Sequence, residues 1–484
     1  MTTESSEFRK SLTLLDGTSL VAGSMIGSGI FIVSSDIART VGSPGWLLVV
    51  WIATGVLTIF AALSYGELAA MMPKAGGQYV YLREAYNPLS AFLFGWTMFM
   101  VIQTGTIAAV AMAFAKFTGV LVPWFSETNR IVALGPVKVT TAHLLAIILI
   151  IALSWVNARG IRVGKIIQNA FTLTKVLILL AFIIAGLVFA SSSEVFRSNS
   201  AIFWEAVQIK DGTPVPLTGF ALLAAIGTAM VGALFSSDAW NSVTFTAGET
   251  KNPKRNIPLS LFLGTLIVSV LYLLTNFVYI NALPLRGNPE GASVLERGIQ
   301  YAVNDRLGTA AISNFLGNSA VIVMAVCVVI STFGCNNGLI FSGARVYYAM
   351  ANDRLFFRNA GVLNRNGVPG KGLLYQAIWA SLLCLSGTYS DLLDYVIFAV
   401  LIFYAMTIAG IFVLRWKRPT ADRPYRAFGY PVIPAVYIFS ALFILVVLLI
   451  YKPNYTWPGL IIVTLGIPVY YLWRRLNTEG QISG

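Results

Sequence analysis

Apolar runs of about 20 residues, the length that carries a helix across hydrocarbon, recur from one end of this chain to the other. They lie at 14–41, 45–72, 88–119, 140–158, 166–190, 217–247, 257–283, 311–351, 373–389, 391–414, 430–451 and 456–473. With 57% of residues hydrophobic and 11% charged, the composition departs from soluble proteins in both directions. The expected fold class is therefore an all-α membrane protein with twelve transmembrane helices. The run at 311–351 is long enough to include an extension beyond the membrane, and 373–389 is short for a span. The first run has a polar leader but no small-residue cleavage site, so it reads as a spanning helix rather than a signal peptide.

The chain carries a net charge of +13, and where that charge sits decides what it means. Of the 33 Lys and Arg, 22 fall in segments on the N-terminal side of the spans, Arg345 among them, ten fall on the opposite side, and Lys175 lies within a span. That asymmetry is the positive-inside pattern. It predicts both termini in the cytoplasm and a cell (inner or plasma) membrane location, with lipid headgroups rather than nucleic acid facing the basic loops. Cys327, Cys335 and Cys384 all lie within apolar runs and suggest no disulfide framework. One histidine, His143, and scattered cysteines offer no nucleophile, base or metal constellation, so neither enzyme activity nor a metal nor a cofactor is expected.

Two stretches interrupt the apolar pattern. The first, Ala22 to Phe31, reads A-G-S-M-I-G-S-G-I-F. Glycine loses the most backbone entropy in a helix, and serine competes for backbone hydrogen bonds. Opened backbone at membrane depth is tolerated only where protein or a water-filled cavity satisfies it. Amides at Ser28 and Gly29 would face a carboxylate with the positive end of a half-helix dipole, and carbonyls near Ser24 to Ile26 could accept from an ammonium. Close helix packing through Gly23 and Gly27 is the competing reading. The second interruption, Ala233 to Trp240, reads A-L-F-S-S-D-A-W and falls five helices later. Paired breaks at corresponding positions of two halves point to an inverted-repeat transporter with its substrate near the midplane.

Individual residues add detail. Gln168, Thr172 and Lys175 are spaced i, i+4, i+7 and form one polar stripe, expected to face the protein interior. Lys175 is either a fixed or titrating cation or a structural tether. Phe235 and Trp240 flank the second break and could cover a ligand, with lipid-facing aromatics as the alternative. Asp238 is expected to cap the half-helix that follows it, although pairing with a cationic substrate is open. Glu67 is expected to organise the loop after helix two, and His143 to sit at the outer end of helix four.

The motifs G-S-M-I-G-S-G-I-F at 23–31, E-L-A-A-M-M-P-K-A-G-G-Q-Y-V-Y at 67–81, F-S-S-D-A-W-N at 235–241, G-E-T-K-N-P-K-R-N-I-P at 248–258 and F-G-C-N-N-G-L-I-F-S-G-A-R at 333–345 occur in this order. The chain thereby resembles the amino acid-polyamine-organocation superfamily and, within it, bacterial relatives of the L-type amino acid transporters. The resemblance implies a 5+5 inverted repeat of the leucine-transporter type: a first repeat in 1–190, an inverted second in 191–414, and two added helices in 415–484. It implies a substrate site of Ile26, Gly27, Ser28, Gly29, Ile30, Phe235, Ser236, Asp238 and Trp240. There the Ser28 and Gly29 amides take the carboxylate, carbonyls near Ile26 and Phe235 take the ammonium, Phe235 gates and Trp240 lines the side-chain pocket. Lys175 would replace a sodium ion, partnered by Ser331 or Thr332. The expected activity is sodium-independent exchange of neutral L-amino acids. Proton-coupled symport and a non-transporting amino acid receptor are the alternatives. The loop at 120–139 has no cysteine, so no covalent heavy-chain subunit is expected.

Overall fold

Thr13 starts the first helix by reciprocal capping: its amide donates to Asp16 Oδ2 at 2.8 Å and the Asp16 amide donates back to Thr13 Oγ1 at 3.3 Å. The computed structural model describes residues 8–134, 137–210, 213–385 and 389–479. Helix α1 (Leu14–Met25) ends at Ile26, whose ψ of 100° is extended. A single 3-10 turn, Gly29–Phe31, leads into α2 (Val33–Val41). Helix α2 stops at Gly42, where φ is +57° and an added Cβ would lie 1.8 Å from the Val207 carbonyl oxygen, so only glycine fits.

The chain continues through α3 (Pro44–Met71), α4 (Gln78–Ala85), α5 (Pro88–Leu121), α6 (Thr141–Ala158), α7 (Ile161–Ala190) and α8 (Gly219–Ser236). Residues 237–241 are unwound, followed by a single turn, α9 (Ser242–Phe245). Then come α10 (Pro253–Ala282), α11 (Leu307–Leu316), α12 (Ser319–Asn352), α13 (Gly370–Cys384), α14 (Tyr389–Lys417), α15 (Val432–Tyr451) and α16 (Pro453–Glu479). Two antiparallel hairpins lie in loops, Arg130–Leu134 with Val137–Thr140 and Val207–Lys210 with Thr213–Pro216.

Among the described residues, ten helices are long and apolar enough to cross a membrane. The two expected spans outside that set are the first, which is interrupted, and 373–389, realised as a helix of 15 residues, Gly370–Cys384. The 311–351 run is divided near its start: Gly317, at φ +53°, separates α11 from α12, and α12, at 34 residues, is longer than the roughly 20 a span needs. Large apolar side chains such as Leu173, Ile184, Phe439 and Leu472 are exposed on the outside, as lipid contact requires. The chain is a multi-pass membrane protein.

Helix α1 lies deep in the molecule because its neighbours approach closely. A Cβ on Gly264 of α10 would sit 2.4 Å from Val21, and one on Gly23 would sit 2.1 Å from Thr172 of α7. Gly23 thus serves close packing, one of the two roles open to it. The broken part of the same helix, from Ile26 onward, needs a separate explanation.

Candidate functional site

Unwinding at Ile26 to Ser28 frees main-chain carbonyls, and the structure shows what each one meets. Lys175 Nζ donates to Gly23 O at 2.6 Å, Ile26 O at 2.8 Å and Ser331 O at 3.1 Å. Ser331 Oγ donates to Ile26 O and Gly27 O at 3.2 and 3.0 Å. The Cys335 thiol donates to Ser24 O at 2.9 Å. Tyr272 and Tyr279 of α10 donate to Met25 O and Ile30 O, both at 3.1 Å. Three helices, α7, α10 and α12, therefore hold the first break open. An open backbone in hydrocarbon is stable only with such donors.

The amides behave differently. Among the described residues, the N–H groups of Gly27, Gly29 and Ile30 donate no hydrogen bond. They form the start of the half-helix that continues into α2, where the positive end of the dipole lies. Gly29 abuts the second break: a Cβ there would stand 2.1 Å from Ser236 Oγ. Ser28, Ile30, Ser236, Trp240 and Phe235 are all buried, so the two breaks face each other in an occluded interior.

The second break is narrower than the sequence suggests. Helix α8 runs through Phe235 and Ser236, and only Ser237 onward is unwound. Asp238 does not cap the following turn. Asn241 occupies the cap position without a side-chain bond, while the Asp238 carboxylate accepts from Tyr404 of α14 at 2.7 Å. The reason is tertiary: Tyr404 and Tyr65 pack edge-on or tilted against Trp240 at 5.0 and 4.7 Å between ring centroids, which brings the Tyr404 hydroxyl to the carboxylate. Asp238 also lines a cavity of about 20 Å³ together with Gln78, Gln103, Asn241 and Tyr404. Asn241 donates to Gln78 at 2.8 Å, and Gln78 to Thr407 at 3.0 Å.

The polar stripe on α7 faces inward, as its spacing predicts. Thr172 donates to Ser19 O at 3.0 Å, and Gln168 accepts from Asn337 of α12 at 2.8 Å. Ser331 is brought to Lys175 by its carbonyl. Thr332 is not: its hydroxyl turns back onto its own helix and donates to Val328 O at 2.7 Å.

At the basic end, Arg345 is not a loop cation. It is buried within α12 and forms a two-pronged pair with Glu249, at 3.1 and 3.0 Å. The Glu249 carbonyl in turn accepts the Ser11 and Leu12 amides at 2.8 and 2.9 Å. Glu67, also buried, takes Arg415 at 3.0 and 2.7 Å and the Ala427 amide at 2.7 Å. It ties α3 to the end of α14 and to the segment beyond, rather than to the loop after its own helix. His143 caps α6 at Thr140, accepting from the Thr140 amide at 3.1 Å.

Sequence reasoning missed Tyr404, Tyr272 and Tyr279. The last two are spaced i, i+7 on one face of α10, a detectable stripe, but nothing local names their acceptors. Tyr404 lies in an almost uniformly apolar run and gives no signal.

A family model described as amino acid permease matches residues 12–472. The chain belongs to the amino acid permease family. It is similar to the b(0,+)-type amino acid transporter 1 of Mus musculus, 28% identical over 476 residues, 97% of this chain and 89% of that one. The large neutral amino acids transporter small subunit 2 of Homo sapiens is 29% identical over 469 residues, 96% and 80% of the two chains. The human cystine/glutamate transporter is 27% identical over 486 residues, 98% and 89%. The family and these relatives are transporters rather than enzymes, and the permease described here is an amino acid transporter of the L-type-like group.

Proposed function

We propose that this permease exchanges neutral L-amino acids across the plasma membrane without sodium. The observation that carries this reading is the Lys175 ammonium among the carbonyls of Gly23, Ile26 and Ser331. A fixed cation there supplies the charge that a bound sodium ion would otherwise bring to the unwound segment. The substrate carboxylate meets the amides at Ser28, Gly29 and Ile30. The ammonium is given to the carbonyls at Ile26 and Phe235, each of which already accepts a bond, Ile26 O from Lys175 and Ser331 and Phe235 O from the Asp238 amide, while Ile26 and Gly27 shape the site through the Lys175 and Ser331 bonds. Phe235 closes the outer side, and Trp240 lines the side-chain pocket with Ser236 and Asp238 beside it.

The architecture we infer is twelve spans, counting the broken first helix and α13, arranged as a 5+5 inverted repeat with two added helices. The first, second, sixth and seventh spans move as a bundle against the rest, with both termini cytoplasmic. Gly55 of α3 against Ser269 of α10 and Gly264 of α10 against Val21 support the close packing of that bundle. Transport needs no covalently attached subunit, a reading supported by the cysteine-free loop at 120–139.

A second reading has its own support. Asp238 is a buried carboxylate beside the second break whose Oδ1 accepts from Tyr404, and a cationic side chain that displaced the Tyr404 hydroxyl could pair with it. Liposomes preloaded with unlabelled amino acids test both readings by uptake of a labelled panel with and without sodium and a pH gradient. Uptake of neutral substrates that depends on internal amino acid and not on sodium is expected. An absolute sodium requirement overturns the role given to Lys175, and proton-driven uptake into empty vesicles overturns exchange in favour of symport.

A further inference from the structure

Away from the basic end, the turn Val294–Arg297, the segment leading into α11 and one face of α11 enclose a cavity of about 550 Å³. That is within the range of small-molecule sites, about 300–1,000 Å³. Arg306, Thr309, Ala310, Ser313 and Asn314 line it, and their spacings of three and four residues put them on one helix face. From Arg306 to Asn314 that face rises about 12 Å. Leu295, Val303 and Val321 make much of the remaining wall apolar.

The lining holds two guanidinium groups and, among the described residues, no carboxylate. Arg297 is committed in part, since its Nε donates to Gly291 O at 2.7 Å. Arg306 lies over the Phe117 ring at 5.4 Å, a cation–π distance, but its Nε is buried and has no hydrogen-bond partner among the described residues. The nearby acids are turned elsewhere. Asp305 pairs with Arg39 at 2.7 Å, and the Glu296 carboxylate accepts from the Ala292 amide at 2.8 Å. Burial pushes the Arg306 guanidinium below its ordinary value, and the charge of Glu127 offsets this only in part. A buried donor left unpaired is costly, more so when it is charged. Arg306 is also the N-cap of α11, where the amides of Leu307, Gly308 and Thr309 donate no hydrogen bond among the described residues. The positive end of the helix dipole therefore adds to the cation.

We propose that this cavity binds an organic monocarboxylate with an apolar body, its carboxylate on the Nε edge of Arg306 and its body along α11. A guanidinium edge meets two carboxylate oxygens in a two-pronged pair. The charge balance separates this ligand from a zwitterionic amino acid, because the lining has no carboxylate to pair with an ammonium. The other face of α11 reaches the first break: a Cβ on Gly308 would lie 3.0 Å from the Phe31 ring. The occupant thus braces an element that packs against the start of the outer half-helix.

Calorimetric titration of the purified full-length protein in non-ionic detergent tests this with phenylbutyrate, its uncharged amide phenylbutyramide, and acetate. Phenylbutyrate should bind at least about tenfold more tightly than the amide, a factor that one charge-assisted hydrogen bond can supply. It should also bind more tightly than acetate, which lacks the apolar body. Arg306→Gln should remove the preference for the acid over the amide, and Arg306→Lys should retain part of it. Val303→Asp is the second variant, read if Arg306→Gln elutes as aggregate; Val303 is more than half exposed, and a carboxylate there should repel the acid and leave binding of the amide unchanged. Equal binding of acid and amide, or an unchanged preference in the variants, overturns the proposal. Acetate that binds as tightly as phenylbutyrate also overturns it, because the apolar wall would then contribute nothing.

Discussion

The two helix breaks differ most in how they are held. At the first, the freed carbonyls from Gly23 to Ile30 accept from an ammonium, two phenols, a hydroxyl and a thiol supplied by three helices. At the second, Tyr272 reaches the Ser236 carbonyl and Tyr404 reaches the Asp238 carboxylate, and aromatic packing around Trp240 covers the remainder. The first break is a platform fixed by polar bonds, whereas the second is bounded largely by rings that can slide. Substrate-dependent movement is therefore expected at the second, with the first as the reference against which it moves.

Removing the cation is the most direct way to break this contrast. Lys175→Ala should lower exchange in liposomes by at least about 1,000-fold, since hydrogen bonds to a charged group contribute about 1.5–3 kcal/mol each, three are lost, and about 1.4 kcal/mol is a factor of ten. A rate near that of the parent protein would show that the platform is not needed. Forcing the breaks apart should come next. Gly29→Ala places a Cβ within 2.1 Å of Ser236 Oγ and 3.2 Å of its Cα, and overpacking of about 1–3 kcal/mol predicts roughly tenfold slower exchange. Ser236→Gly in the same chain should restore part of the rate, and failure to do so would remove the contact between the breaks from the account.

The second break is sharpened by Asp238→Asn and Tyr404→Phe. If Asp238 reads a cationic side chain, lysine or arginine should compete at least about tenfold less well in Asp238→Asn, in line with the 1.5–3 kcal/mol of a charged hydrogen bond, while neutral uptake persists. Tyr404→Phe frees the carboxylate and should strengthen that competition. Unaltered competition in both would leave Asp238 a structural partner of Tyr404.

The smallest effect belongs to a pair remote from either break. Burial alone would raise the Glu84 carboxyl, but Arg418 and Arg83 hold it below its ordinary value. A lowered carboxylate stabilises the fold above its unfolded pKa and loses that contribution as pH falls. Arg418 is more than half exposed, so Arg418→Ala should cost under about 1 kcal/mol. The difference in thermal midpoint should be small at neutral pH and vanish in acid. A large shift would mean that the basic end, and not the first break, dominates stability.

Much of the fold was legible in one dimension because hydrocarbon imposes strict terms. Spans must be long, apolar and helical, and any Gly/Ser-rich interruption must find donors or acceptors within the protein. Hence the runs, the two breaks and the inward-facing stripe of Gln168, Thr172 and Lys175 follow from spacing alone. Which acceptors meet which donors did not. Arg345 looks like another loop cation until α12 carries it inward to Glu249, 96 positions away in sequence. Asp238 reads as a local cap until α14 delivers Tyr404, 166 positions on. Local sequence fixes where a helix must open, because backbone propensity acts within a few residues. Only the packed tertiary structure decides who fills the opening, because hydrogen-bond partners are chosen by distance in space.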